Sequence, residues 1–198
     1  MNAFGMFSAK PTVEGRRARL RPFTPVDVEA MGPILADPEM LRLTGSVHTV
    51  AETEGKLPHL DAATRQWYET RADQADRLDL AIVDPSTDTC VGEVVLNELS
   101  AHNDSCNFRI LIGADGRDRG IGSEATRMLL DYAFSATSLN RVDLEVYAFN
   151  PRARHVYERC GFVYEGRKRA ALKFDGEHVD AILMSMLRSD WEPETDNQ

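Results

Sequence analysis

Ala114-Asp115-Gly116-Arg117-Asp118-Arg119-Gly120-Ile121-Gly122, running into Ser123–Ala136, organises the reading of this sequence. Glycines at 116, 120 and 122 let the backbone turn tightly and approach a ligand without Cβ interference. The following segment spaces Ala125, Leu129, Tyr132 and Ala136 along one face of a helix. The open N–H groups at the mouth of such a helix carry partial positive charge and suit a phosphate or pyrophosphate. Arg117 and Arg119 would add cationic contacts. A plain strand-to-helix turn could use the same glycines, so the loop alone leaves both readings open. It is neither of two familiar nucleotide loops. Ser123 follows Gly122 with no lysine between, and the segment ahead reads as an antiparallel meander, not a βαβ unit.

That meander consists of Leu80–Val83, Val91–Leu96 and Asn107–Ile112, each short, apolar and bounded by turn residues. Asp84-Pro85-Ser86-Thr87 and Ser100–Asp104 separate them. Further upstream, Arg17–Phe23 alternates as a strand, and Thr24, Pro25 and Asp27 mark a helix start. Pro38–Leu43 reads as a second helix, Thr44–Leu60 as a loop, and Asp61 as the cap of a helix to about Ala72. Downstream lie a strand over Arg141–Ala148, a short helix over Pro151–Arg159 that stops at Gly161, and a hairpin of Val163–Leu172 with His178–Leu187 around Asp175-Gly176. The order predicts an α/β fold: one domain over residues 16–191, an arm over 1–15 and a polar tail over 192–198.

A second block then becomes informative: Asn150-Pro151-Arg152-Ala153-Arg154-His155-Val156-Tyr157-Glu158-Arg159-Cys160-Gly161-Phe162. It resembles the Asn-x-x-Ala/Ser-x-x-x-Tyr-x-x-x-Gly-Phe pattern of the GNAT N-acetyltransferase superfamily. Arg117-Asp118-Arg119-Gly120-Ile121-Gly122 is similar to that family's Arg/Gln-x-x-Gly-x-Gly/Ala pyrophosphate loop. Arg-Leu-Arg-Pro-Phe near the N-terminus and Ser123-Glu124-Ala125 look most like the RimJ/RimL-like branch, which includes ribosomal-protein N-acetyltransferases.

The resemblance implies a mixed, mostly antiparallel sheet of about seven strands, splayed in a V between the fourth and fifth. It implies acetyl-CoA as cosubstrate, without a metal. Its pyrophosphate would lie on Arg117, Asp118, Arg119, Gly120, Ile121, Gly122 and Ser123, with Asn150 and Ala153 nearby. Its pantetheine arm would run along the backbone of Ile110, Leu111 and Ile112. Tyr157 sits where the family pattern places the proton donor to the departing thiolate. The alternative for Tyr157 is an amphipathic core residue. The carboxylate that many relatives carry on the strand before the loop is Asn107 here, and an amide cannot take a proton. Glu93 and Glu145 are the candidate bases, with solvated surface carboxylates as the alternative. His155 reads as packing, and Trp67 and Tyr68 as core or cleft wall.

Composition narrows the partners. A formal net charge of −9 disfavours nucleic acid; it would attract a cationic amine, but maintaining solubility alone accounts for it as well, so charge excludes more than it proposes. No apolar run is long enough to span a bilayer, and the first ten residues lack a signal-peptide pattern, so a cytoplasmic protein is expected. Cys90, Cys106 and Cys160 suggest neither disulfides nor zinc, and none is placed for an acyl-enzyme. The family resemblance implies direct acetyl transfer to a primary amine, with a peptide or protein N-terminus first among acceptors on that resemblance alone. Small amines (polyamines, amino acids, aminoglycoside-like compounds) come second, and a non-catalytic acyl-CoA-binding module is the alternative of another class. Ile182, Leu183, Met184, Met186 and Leu187 make the last strand more apolar than one buried face needs, which fits either a homodimer surface or cover from both sides.

Overall fold

The computed structural model describes residues 5–191. Eight strands form one sheet: β1 (Val13–Glu14), β2 (Arg19–Arg21), β3 (Leu78–Asp84), β4 (Thr89–Ser100), β5 (Ser105–Ile112), β6 (Arg141–Tyr147), β7 (Val163–Phe174) and β8 (Glu177–Leu187). They lie in the order β1-β2-β3-β4-β5-β6-β8-β7. Every neighbouring pair is antiparallel except β5 with β6. The strand beyond the expected seven is β1, a two-residue piece of the expected arm. That arm is anchored: Phe7 is fully buried in the main core, and its N–H donates to Ala75 O at 3.2 Å. Apolar alternation could not show this in so short a strand. The expected tail, 192–198, lies outside the described residues.

Helices α1 (Pro25–Ala36), α2 (Pro38–Leu43) and α3 (Ala62–Glu69) precede β3; α4 (Ile121–Ala136) follows β5, and α5 (Pro151–Arg159) follows β6. Both sheet faces are covered. Leu80 and Ile82 of β3 point into the core under α4 and α5, while Ala81 and Val83 point to the core under α1, α2 and α3. A strand buried on both sides reads as an unbroken apolar run.

The start of α1 is set by chemistry visible in the sequence. Thr24 and Asp27 cap each other reciprocally, and Pro25 occupies the first turn, where a missing N–H costs nothing. Asp27 is 2% exposed and also holds Arg21 of β2, so the cap ties helix to sheet. In α4 the buried face is Ile121, Ala125, Leu129, Leu130, Ala133 and Phe134. Tyr132 is only half-buried and Ala136 is exposed, because the helix sits rotated toward Leu130 and Phe134. Each fully buried Leu or Phe there contributes about 1.5–3 kcal/mol. Arg188 closes the far end of α4, donating to Thr137 O at 2.8 Å and also to Phe134 O and Leu139 O.

Ile182, Met184 and Met186 enter the main core, and Leu183 and Leu187 are half-buried opposite Glu145 and Arg141 of β6.

Candidate active site

The parallel pairing of β5 and β6 lasts only three residue pairs, Ser105↔Arg141, Cys106↔Val142 and Asn107↔Asp143. Beyond Asn107 the strands diverge, while β5 remains paired to β4 through Ile112. The expected V therefore lies between these strands, and Phe108–Ile112 presents one backbone edge without a strand partner. Asn107 stands at the apex, its amide donating to Asp143 O at 3.4 Å. An aromatic cluster of Phe108, Tyr157 and Phe162 props the mouth, with ring centroids 5.7–6.0 Å apart.

The V opens into a cavity of about 440 Å³ bounded by β5, the glycine loop, β6 and α5. Gly120 is the N-cap of α4, with φ +78° and no side-chain cap. The first intrahelical bond runs from Glu124 N to Gly120 O, leaving the N–H groups of Ile121, Gly122 and Ser123 ahead of it. A Cβ on Gly120 would collide with Arg17 Nη1, so that glycine answers to the fold as well as to any ligand. Gly122 differs. A Cβ there would meet nothing closer than Ile112 Cγ1 at 3.5 Å, so the protein itself does not require a glycine at this position. Its bare backbone faces the cavity.

Both arginines of the loop have protein partners, and of the two Arg117 lines the cavity. Arg117 is drawn under α2, donating to Ile112 O at 3.0 Å and pairing with Asp37 at 3.1 Å and with Glu39. Arg119 turns out of the cavity to Asp84 at 2.7 Å and Asp115 O at 3.0 Å. Their partners are 78 and 35 residues away in sequence, beyond any local pattern. Further cations at the rim come from α5, where Arg152 and Arg159 line the cavity with His155. Their i, i+3, i+7 spacing places these three on one helical face, a signal that was present in the sequence. Asp118 adopts φ +58° and lines the wall, as do Gly120, Ser123 and Ala153. Ile121 is 1% exposed in the core, so only its backbone can reach a ligand. Asn150 spends its Oδ1 on Ala153 N at 3.1 Å, capping α5, which in turn carries Tyr157.

Tyr157 is 8% exposed and lines the cavity, and burial pushes its phenol well above the ordinary range. It is a proton-bearing group at any working pH. Glu145 also lines the cavity but is paired with Lys168.

Glu93 lies elsewhere, in a second cavity of about 560 Å³ walled by α2, α3, β4 and β5. The two cavities share Met40, Thr44, Arg109 and Leu111 as a common wall. Glu93 is 5% exposed, and its Oε2 has no hydrogen-bond partner among the described residues. Burial raises its pKa to about 7, opposed in part by a hydrogen bond from Tyr68 of α3. A buried carboxylate titrating near neutrality beside a cavity has the setting in which catalytic bases are found. Trp67 forms another part of this wall, stacked under Arg71 and Arg77.

A mixed sheet splayed over an uncapped glycine-started helix, with a phenol on the far wall, defines an acyl-CoA N-acyltransferase architecture. The acetyltransferase (GNAT) domain family matches residues 17–163, and the chain belongs to that family. Among curated proteins it is 32% identical to a spermidine N(1)-acetyltransferase of Vibrio cholerae over 54% of this chain and 62% of that one. It is 35% identical to YdaF of Bacillus subtilis, provisionally named a ribosomal N-acetyltransferase, over 52% of this chain and 56% of the relative. The matches thus span about 60% of the length of these relatives. A crystal structure of spermidine N-acetyltransferase from Vibrio cholerae with CoA and spermine superposes with a TM-score of 0.74, at 22% identity, over 88% of this chain and 97% of that one.

Proposed function

We propose that this chain transfers the acetyl group of acetyl-CoA to the primary amine of a small molecule, by direct attack in a ternary complex. The carrying observation is that the two cavities meet at one wall, so a thioester lying in the V would face the chamber that holds Glu93.

In this reading the N–H groups of Ile121, Gly122 and Ser123 receive the pyrophosphate, with Arg159 and the Glu39-paired Arg152 adding positive charge at the rim. The open edge of β5 at Ile110–Ile112 holds the pantetheine arm as a strand would. Glu93, as carboxylate, takes the proton from the incoming ammonium directly or through a water. The amine nitrogen then bonds to the acetyl carbon, the C–S bond breaks, the Tyr157 phenol protonates the departing sulfur, and the second proton shed by the nitrogen restores the phenol by way of solvent. Glu145, neutralised by Lys168, has no part in proton transfer. An acyl-enzyme is disfavoured: all three cysteines are buried, and burial pushes the Cys90 thiol up to about 12.

The names of the relatives divide over the acceptor. The spermidine acetyltransferases support a small amine, and we adopt that in place of the peptide N-terminus expected from sequence. The match to YdaF supports the narrower RimJ/RimL-like placement, which does not bear on the chemistry above. The test is thiol release from acetyl-CoA against small amines and N-terminal peptides. Release with small amines bears the reading out; release with peptides alone overturns the choice of acceptor.

A further inference from the structure

Arg109 stands at the middle of β5, opposite Val95 of β4, on the sheet face that also carries Leu111. It belongs to the wall shared by the two cavities. Of the other arginines around these chambers, Arg77 pairs with Asp79 through two contacts at 2.7 Å, Arg117 with Asp37 and Glu39, and Arg152 with Glu39, while Arg159 lines only the donor cavity. Arg109 has no hydrogen bond or ion pair among the described residues. The acceptor chamber thus holds the buried Glu93, whose Oε2 lacks a hydrogen-bond partner among the described residues, and the guanidinium of Arg109, whose charge reaches Glu93 without a salt bridge, on adjacent strands of one sheet face.

We propose, resting on the acetyl-transfer reading above, that Arg109 anchors a carboxylate carried by the acceptor, so that the substrate is an amino acid or a similar amine with an acidic group close by. A polycation would bring its second ammonium against Arg109, with no free carboxylate beyond Glu93 to receive it. A zwitterion satisfies both groups at once: the ammonium turns to Glu93 and the carboxylate to the planar fork of Arg109, which matches two carboxylate oxygens. Because Arg109 borders the donor cavity as well, a carboxylate held there keeps the neighbouring amine beside the thioester. Arg109 is in this account a specificity-determining residue, and it takes no proton.

The test compares four acceptors with acetyl-CoA: an amino acid, its primary amide, the same amine lacking the carboxyl group, and a linear polyamine. The protein is expected to favour the free acid over its amide by about 10- to 100-fold in kcat/KM, the scale of a charge-assisted bidentate contact. Arg109→Gln should collapse that ratio to near one, and Arg109→Lys should restore part of it. A structural role for Arg109 would lower both rates alike and keep the ratio, which overturns the proposal. So would a protein that acetylates the amide or the polyamine as well as the acid. Failure to release thiol with any of the four would overturn the acetyl-transfer reading, and the proposal with it.

Discussion

Phe108 of β5 and Tyr157 of α5 meet edge to face across the mouth of the V, with ring centroids 6.0 Å apart and planes at 84°. The contact fixes where the Tyr157 phenol stands, and it uses the ring alone. Tyr157→Phe keeps the ring and its packing on Phe108 and Phe162 while removing the proton. We expect kcat to fall about 10²-fold or more, with acetyl-CoA affinity nearly unchanged, measured by steady-state kinetics and equilibrium binding. Full retained activity would remove the acid role.

In the proposed role Glu93 would act as the carboxylate, so kcat/KM should rise with pH through a midpoint near 7. Glu93→Gln should lose that limb and lower kcat by about 10²-fold or more. Stability should move the other way. Burial raises the pKa in the folded state above the ordinary 4.5, so the stability this group contributes is fully present below 4.5 and is lost as pH rises through about 7. The glutamine variant should therefore melt at or above the parent temperature at pH 8, which thermal denaturation at two pH values would check.

The two loop glycines should separate binding from folding. Gly122→Ala meets no close protein atom and should fold normally, yet weaken acetyl-CoA by about tenfold or more, ~1.4 kcal/mol. Gly120→Ala forces a side chain into a left-handed conformation against Arg17, at a cost of about 1–2 kcal/mol before the collision is counted. Its melting temperature should fall by several degrees. Identical behaviour of the two variants would contradict this division.

Asp27→Ala removes the α1 cap and leaves Arg21 without its buried partner. A loss on the order of 3 kcal/mol is expected, read from denaturant unfolding. Loss under about 1 kcal/mol would show that the pair adds little beyond an ordinary cap.

The glycine loop and the helix that carries Tyr157 were legible because their signals are local. Gly120 and Gly122 answer to backbone conformation and approach, Asn150 caps the helix that presents Tyr157, and Gly161 ends that helix with φ +98°. The acceptor half was not, because it is assembled from α2, α3, β4 and β5, which are distant in sequence. Glu93 interrupts the apolar run Val91–Leu96, but β4 is buried on both faces there, so alternation could not show which chamber it enters. The directions taken by Arg117 and Arg119 depend on Asp37, Glu39 and Asp84, and no periodicity encodes such pairings. The vacancy at Asn107 has a structural counterpart: its amide joins β5 to β6 where the V begins.

The most direct test of the central claim is thiol release and intact-protein mass in one experiment, with acetyl-CoA alone and then with a small primary amine. The account predicts an unmodified protein and no thiol beyond slow hydrolysis until the amine is added, then one N-acetylated amine per thiol released. Acetyl-CoA bound without transfer to any small amine, or an acetylated protein formed before the amine arrives, would contradict it.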